Sequence, residues 1–415
     1  MVARPQSWLR LTDRRGAAVA AAVGIALFLV AWGVLHHGFY ERRQIPDTPV
    51  YRQYGESVVD GSVPYRDFRV DYPPAALPVF ILPALGHPTP RTYGRRFQTL
   101  MALCGAALVA FVAVTLLGLE ADRRRAAAAV AFAALAPLAI GSLVLSRFDL
   151  WPAALTAAAL AALVGGRERV GFAVLGLGVA AKLYPALLIP SALAYVWRRL
   201  GRREAVVCTA ALVGVVALCL VPFLALAPHG VWESFRRQAD RPLQLESLGS
   251  AFLLAAHQLG GVGLTMRSNG QSQNLAGTSA DALALALAVA QAVAVVGVWI
   301  AFARGPIERE RLVRAAAAAV AVFVALGKVL SPQFLLWLVP LVPLVRGRRG
   351  LAASSLLAAA LVLTQLWFPY RYWDLALRFD PLASWLVVAR DLVLVALAAV
   401  LVWAPTRSER EPLRS

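Results

Sequence analysis

The chain has 415 residues, 60% of them hydrophobic, and a mean hydropathy of +0.66. Soluble domains average roughly 45–50% apolar residues and cannot hide much more, so the composition excludes a soluble globular protein. The net charge of +18 would point to nucleic acid in a soluble chain. Here the arginines cluster in short loops between apolar runs, which is the positive-inside pattern of a multi-pass membrane protein, and no aromatic-basic surface is left for nucleic acid.

The first fifteen residues carry Arg4, Arg10, Arg14 and Arg15 against Asp13, which places 1–15 in the cytoplasm. Residues 16–35 form a first span, too long for the apolar part of a cleavable signal and without a clear cleavage site, so it is expected to be retained. A polar interval, 36–74, follows with Glu41, Asp47, Glu56, Asp60, Asp67 and Asp71 among arginines and tyrosines. The stretch 75–86 is apolar but only about half a span long and holds Pro78 and Pro83, so it reads as an interfacial or re-entrant piece. Together 36–96 make a first outer loop. The second span, 97–119, ends inside at Arg123, Arg124 and Arg125.

Further spans are expected at 126–145, 150–165, 170–181, 186–197, 205–227, 282–303, 315–326, 334–345, 351–368 and 385–403. The pair 170–181 and 186–197 is short and resembles broken helices meeting at Lys182, where irregular backbone is tolerated only facing protein or a wet cavity. A second long outer loop, 228–279, contains an uncharged piece, 247–264, suited to a half-inserted helix. The sum is an all-α polytopic protein, a single domain of about 12 transmembrane helices, with both termini (1–15 and 404–415) cytoplasmic. Arginine-dense short loops then fall inside, and loops mixing acids, lysine and aromatics fall outside.

Ionisable residues at membrane depth or at its surface are costly and are functional candidates by default. Asp47, before Thr48 and Pro49, suits a general base at the outer interface and also a helix N-cap; both readings can hold together. Tyr65, Asp71 and Tyr72, beside Pro73 and Pro74, either turn and anchor the chain or face a sugar or prenyl group. Arg147 and Asp149 either neutralise each other or serve a site. Lys182 and Lys328 run against the positive-inside bias on the outer side and need an anionic partner, a phosphate or a carboxylate. Arg241, Gln244 and Glu246 lead into an apolar piece, where Gln and Glu suit sugar hydroxyls and Glu246 suits a helix cap equally. Cys104, Cys208 and Cys219 all lie in apolar runs and read as small core residues. No P-loop, HExxH or GxSxG is present, and no nucleotide-binding domain, so an ATP-driven pump is not expected and a donor made elsewhere is.

Asp47 with Tyr51, the run from Gly61 to Asp67, and Asp71-Tyr72-Pro73-Pro74 resemble the first outer loop of the family 87 glycosyltransferases, which include polyprenyl-phosphate-mannose-dependent mannosyltransferases. Arg147-Phe148-Asp149-Leu150-Trp151-Pro152, Ala181-Lys182-Leu183-Tyr184-Pro185 and Gly327-Lys328-Val329-Leu330-Ser331-Pro332-Gln333 are similar to later signatures of that family. The resemblance implies a C-superfamily membrane glycosyltransferase fold with its active site on the outer face of a bacterial plasma membrane. It implies a polyprenyl-phosphate sugar donor, mannose, a lipid or glycan acceptor, and membrane lipid as surroundings. An essential aspartate in the first outer loop maps to Asp47. The loop has no Asp-Asp or Glu-Asp dyad, so no metal and no other cofactor are expected. In that scheme Asp47 is catalytic, and Tyr51, Asp71, Tyr72, Arg147, Asp149, Lys182, Arg241, Gln244, Glu246, Lys328 and Gln333 bind substrate, with Lys182, Lys328 or Arg147 on the leaving phosphate. A transporter or flippase of a lipid-linked saccharide would use the same basic cavity without a base; an obvious two-fold repeat, common in transporters, is missing. A scaffold protein would leave the outward lysines without a reason.

Overall fold

The structure is a computed structural model that describes residues 14–41, 44–269 and 272–403. The expected cytoplasmic tail 404–415 and nearly all of the expected cytoplasmic N-terminus lie outside the described residues. In chain order the helices are α1 (Arg14–Val34), α2 (Thr48–Val59), α3 (Leu77–Ala84), α4 (Pro90–Gly118), α5 (Arg123–Ile140), α6 (Leu143–Ser146), α7 (Leu150–Val164), α8 (Glu168–Ala181) and α9 (Ile189–Leu200). They continue with α10 (Arg202–Leu226), α11 (Pro228–Ala239), α12 (Leu248–Gly260), α13 (Thr278–Arg304), α14 (Arg309–Leu326), α15 (Gly347–Trp367), α16 (Tyr372–Arg378) and α17 (Pro381–Val402). Between α12 and α13, β1 (Thr265–Asn269) and β2 (Ser272–Ala276) pair antiparallel, Thr265 opposite Ala276.

Among the described residues, six helices are long and apolar enough to cross a bilayer: α1, α4, α10, α13, α15 and α17. They define a multi-pass membrane protein. The other apolar runs counted toward about 12 spans are shorter or charged at one end. Only 11% of the apolar stretch of α10 and 17% of that of α13 is buried within the protein, so both turn most of their surface outward, with Leu218 and Leu285 among the exposed side chains. α14 is the opposite case. Alanines 315–319 are all buried, and such small side chains let neighbouring backbones approach closely.

One expected span is corrected. Residues 334–345 do not form a crossing helix but belong to two 3₁₀ turns, Pro332–Trp337 and Val342–Leu344. Pro332, Pro340 and Pro343 supply no amide hydrogen and block an α-helical ladder. The expected span 126–145 is likewise broken: α5 stops at Ile140, and Gly141 takes a left-handed φ of 80° before the short α6. The expected junction at Lys182 is present, with Lys182 extended between α8 and a 3₁₀ turn, Tyr184–Leu188. The hairpin inside the loop 228–279 was not anticipated, because its strands are polar and lack a strict alternation.

The two ends of the helices differ in chemistry. At one end Arg125 holds both oxygens of Glu310, at 2.5 and 2.8 Å, and also donates to the Leu344 carbonyl. Arg309 donates to the Gly118 carbonyl at 3.0 Å, and Arg198 to the Ala303 and Gly305 carbonyls at 2.5 and 2.7 Å. This clasp gathers the arginine-dense turns. α14 leads away from it over 18 residues, about 27 Å at 1.5 Å per residue, to Gly327 and the other end, where a cavity opens.

Candidate active site

The first wall of the cavity is set by α2. Pro49 near its start pre-orients the first turn, and Asp47 occupies the N-cap position without spending its side chain on a helix amide. The carboxylate instead forms an ion pair with Arg147, and the Tyr51 hydroxyl donates to its other oxygen at 3.3 Å. Arg147 Nη2 also donates to the Ile45 carbonyl at 3.0 Å. Tyr51 is fixed in turn by rings: it stacks on Phe80 at 4.4 Å between centroids and meets Phe148 edge-on at 5.7 Å. Asp47 is therefore held at a defined depth, its side chain 24% exposed, against an arginine that is 5% exposed.

The second wall comes from the breaks after α6 and α8. Lys182 Nζ lies 2.6 Å from Asp149 Oδ1, and Trp337 Nε1 donates to the same oxygen at 2.7 Å. The lysine ammonium also sits 4.7, 5.5 and 5.1 Å from the ring centres of Phe148, Phe334 and Trp337, within cation–π reach. Tyr184 stacks on Trp337 at 4.2 Å, almost parallel. Asp149 is fully buried and its Oδ2 has no hydrogen-bond partner among the described residues. The carboxylate partner weighed for Lys182 is thus present.

The third wall is the segment 241–247. Its backbone lies along the hairpin, with Leu245 N–H donating to Gln273 O and Leu275 N–H to Leu243 O, both at 2.9 Å. Gln244 Nε2 donates to Ser331 Oγ at 3.1 Å, and Arg241 Nη2 to Gln244 Oε1 at 3.3 Å. Glu246 is 2% exposed and its Oε2 is unpartnered. Burial pushes its carboxyl up to about 7, against the pull of Arg390, Gln244 and Arg241. Gln333 Oε1 is also buried without a partner.

The walls enclose about 1000 Å³, the size of a site for a substantial small molecule. Every expected site residue lines it except Lys328. Lys328 Nζ instead donates to the carbonyl of Ala239, itself a lining residue, at 2.9 Å, and its backbone carbonyl accepts from Gln244 N–H at 2.9 Å, so the lysine braces the wall. Asp71 lines the cavity but is bound by Arg69 at 2.9 Å and Arg237 at 3.3 Å, so it ties the first loop to α11. Tyr54, also in the lining, is pushed up to about 12 by burial and then by Asp71, and stays neutral. Asp67 lies apart, held down to about 2 by hydrogen bonds from Arg66 and the Val63 amide, as a turn-forming residue.

Sequence reasoning missed Arg69, Arg236, Arg237 and Trp337, which all line the cavity. The arginines looked like loop charge and the tryptophan like part of a span. It also missed Arg390 and Asp391, a charge pair in the middle of an apolar 22-residue helix, a signal that was available. Among the described residues no group of three or more His, Cys, Asp or Glu side chains gathers in a metal-binding arrangement.

Fold and site define a helical multi-pass membrane protein with a substrate-sized cavity, lined by acids, cations and rings, at one end of its helices. A family model, "Glycosyltransferase family 87", matches residues 71–332. The chain belongs to glycosyltransferase family 87 and is a glycosyltransferase. Asp47 and Arg390 lie outside the matched stretch. Among solved structures the chain is similar to ArnT from Cupriavidus metallidurans bound to undecaprenyl phosphate, with 17% identity and a TM-score of 0.48 over 94% of this chain and 77% of that one. No curated protein matches it.

Proposed function

We propose that the protein moves a sugar, mannose, from a polyprenyl-phosphate donor to a lipid or glycan acceptor at the outer face of a bacterial plasma membrane, with inversion at the anomeric carbon. The observation that carries this reading is the pairing of Asp47 with Arg147 in one cavity that also holds Lys182 and Arg241. Support for the outer face comes from the position of the cavity at the end of α14 away from the arginine-dense turns, which the positive-inside bias assigns to the cytoplasm.

In this mechanism the acceptor oxygen attacks the anomeric carbon as the bond from that carbon to the phosphate oxygen breaks. Asp47 takes the acceptor proton, and the phosphate leaves with the bonding pair. Arg147 and Arg241, together with Lys182, stabilise the departing charge. The donor phosphate competes with Asp47 for the Arg147 guanidinium. Donor binding therefore draws the arginine away from Asp47 and frees its carboxylate to accept a proton. Gln244, Glu246 and Gln333 offer hydrogen bonds to sugar hydroxyls.

Asp47→Asn keeps the size and the Tyr51 contact and removes the base. In membranes supplied with radiolabelled polyprenyl-phosphate mannose, this variant should accumulate to wild-type levels and transfer no label to lipid or glycan. Transfer at the wild-type rate would remove Asp47 from the role of base.

A further inference from the structure

α17 carries two ionisable residues where a membrane helix has little use for them. Arg390 is 0% and Asp391 is 1% exposed, and Arg390 Nε lies 2.8 Å from Asp391 Oδ1. Buried charges of this kind are retained only when paired, and apolar replacements often serve stability as well or better. A purely structural account therefore leaves the pair unexplained.

The arginine reaches out of its helix in one direction. Its Nη2 donates to the backbone carbonyl of Glu246 at 2.7 Å, while its guanidinium lies 5.6 Å from the ring centre of Trp367. It bonds the carbonyl, not the carboxylate, so it fixes where the Glu246 backbone sits and leaves the side chain to the cavity. The Glu246 Oε2 atom is buried and unpartnered. The Ser247 and Ser250 hydroxyls hold the Gln244 carbonyl, both at 2.7 Å, two residues earlier on the same wall. α12, which begins at Leu248 directly after this segment, packs along α17.

We propose that Arg390, oriented by Asp391, is a positioning residue that holds Glu246 so that its carboxyl faces the cavity as a ligand for a substrate hydroxyl. This rests on the glycosyl-transfer reading of the same cavity. Arg390 and Asp391 touch no substrate; they act through the Glu246 backbone.

The test uses the full chain in proteoliposomes, with radiolabelled polyprenyl-phosphate mannose and a bacterial membrane-lipid extract as acceptor. Glu246→Gln and the double change Arg390→Met with Asp391→Leu should each lower kcat/KM, by as much as about a hundredfold for a displaced ligand, and together no further. Arg390→Lys keeps the ion pair but shortens the reach to the carbonyl; it should show most of the same loss and again add nothing to Glu246→Gln. Unchanged kcat/KM per folded molecule in these variants, or losses that multiply, would overturn the proposal. If the double change does not fold, Arg390→Lys alone and combined with Glu246→Gln decides the question in the same terms. A second readout is independent of transfer. The protonated-carboxyl infrared band that disappears in Glu246→Gln should shift in Arg390→Lys, and a band that stays in place would refute the positioning. Failure of the wild type to transfer label would sink the proposed function and leave this infrared result to stand by itself.

Discussion

Two acids of this cavity show how surroundings set the work a carboxyl does. Asp47 is paired with an arginine and keeps partial access to solvent, while Glu246 is buried with its Oε2 unpartnered. A carboxyl raised from 4.5 to about 7 favours its protonated form on folding. The folded state then binds the extra proton between those two values, so this contribution to stability is present below about 4.5 and is lost as pH rises through about 7. The loss amounts to about 3 kcal/mol at 1.36 kcal/mol per unit. Thermal melts in detergent should show stability falling across that window, and Glu246→Gln should flatten the fall; an identical profile in the variant would contradict the assignment. Most of this site was legible residue by residue, because charges at the ends of apolar runs stand out against a greasy chain. What escaped were arginines masked by an arginine-rich sequence and Trp337, whose role depends on a fold-back onto Asp149 across 188 positions.

At the scale of elements, the placement of Asp47 depends on how closely α2 can lie on α3. Gly55 makes that contact: an added Cβ would run into the Phe80 carbonyl and meet Ala84 Cβ at 2.8 Å. The obstacle at Phe80 is backbone and cannot swing aside. Gly55→Ala should therefore destabilise the protein by about 1–3 kcal/mol, as overpacking does. It should also reduce transfer by lifting the helix that carries Asp47. A melting temperature and rate equal to wild type would show the contact to be slack. The helices themselves followed from apolar runs and their charged ends. The failures share a cause: at 332–345 the hydropathy of a span is present but the backbone donors are not, and the hairpin at 265–276 is recruited by its partner, the 243–245 segment, rather than by its own pattern.

For the whole molecule, the arrangement makes a direct prediction of which side the cavity faces. In a chain with its own cysteines replaced, Asp60→Cys, in the exposed turn after α2, should react with an impermeant thiol reagent in intact cells. Arg123→Cys, at the opposite end beside the clasp, should react only after the membrane is opened. The reverse pattern would put the site in the cytoplasm. Arginine bias gives the sequence an expected sidedness; the depth of the cavity was not legible there, because it is made by helix breaks at Gly141, Lys182 and Gly327 that hydropathy averages away.

The clasp of Arg125, Glu310 and the Leu344 carbonyl has a mechanical corollary. A bundle riveted at one rim and hollow at the other should yield like a clothes peg, with the fulcrum at the rivets and the jaws at the hollow. A bulky amphiphile arriving sideways from the bilayer would be admitted by parting the jaws, and the riveted turns would stay still throughout.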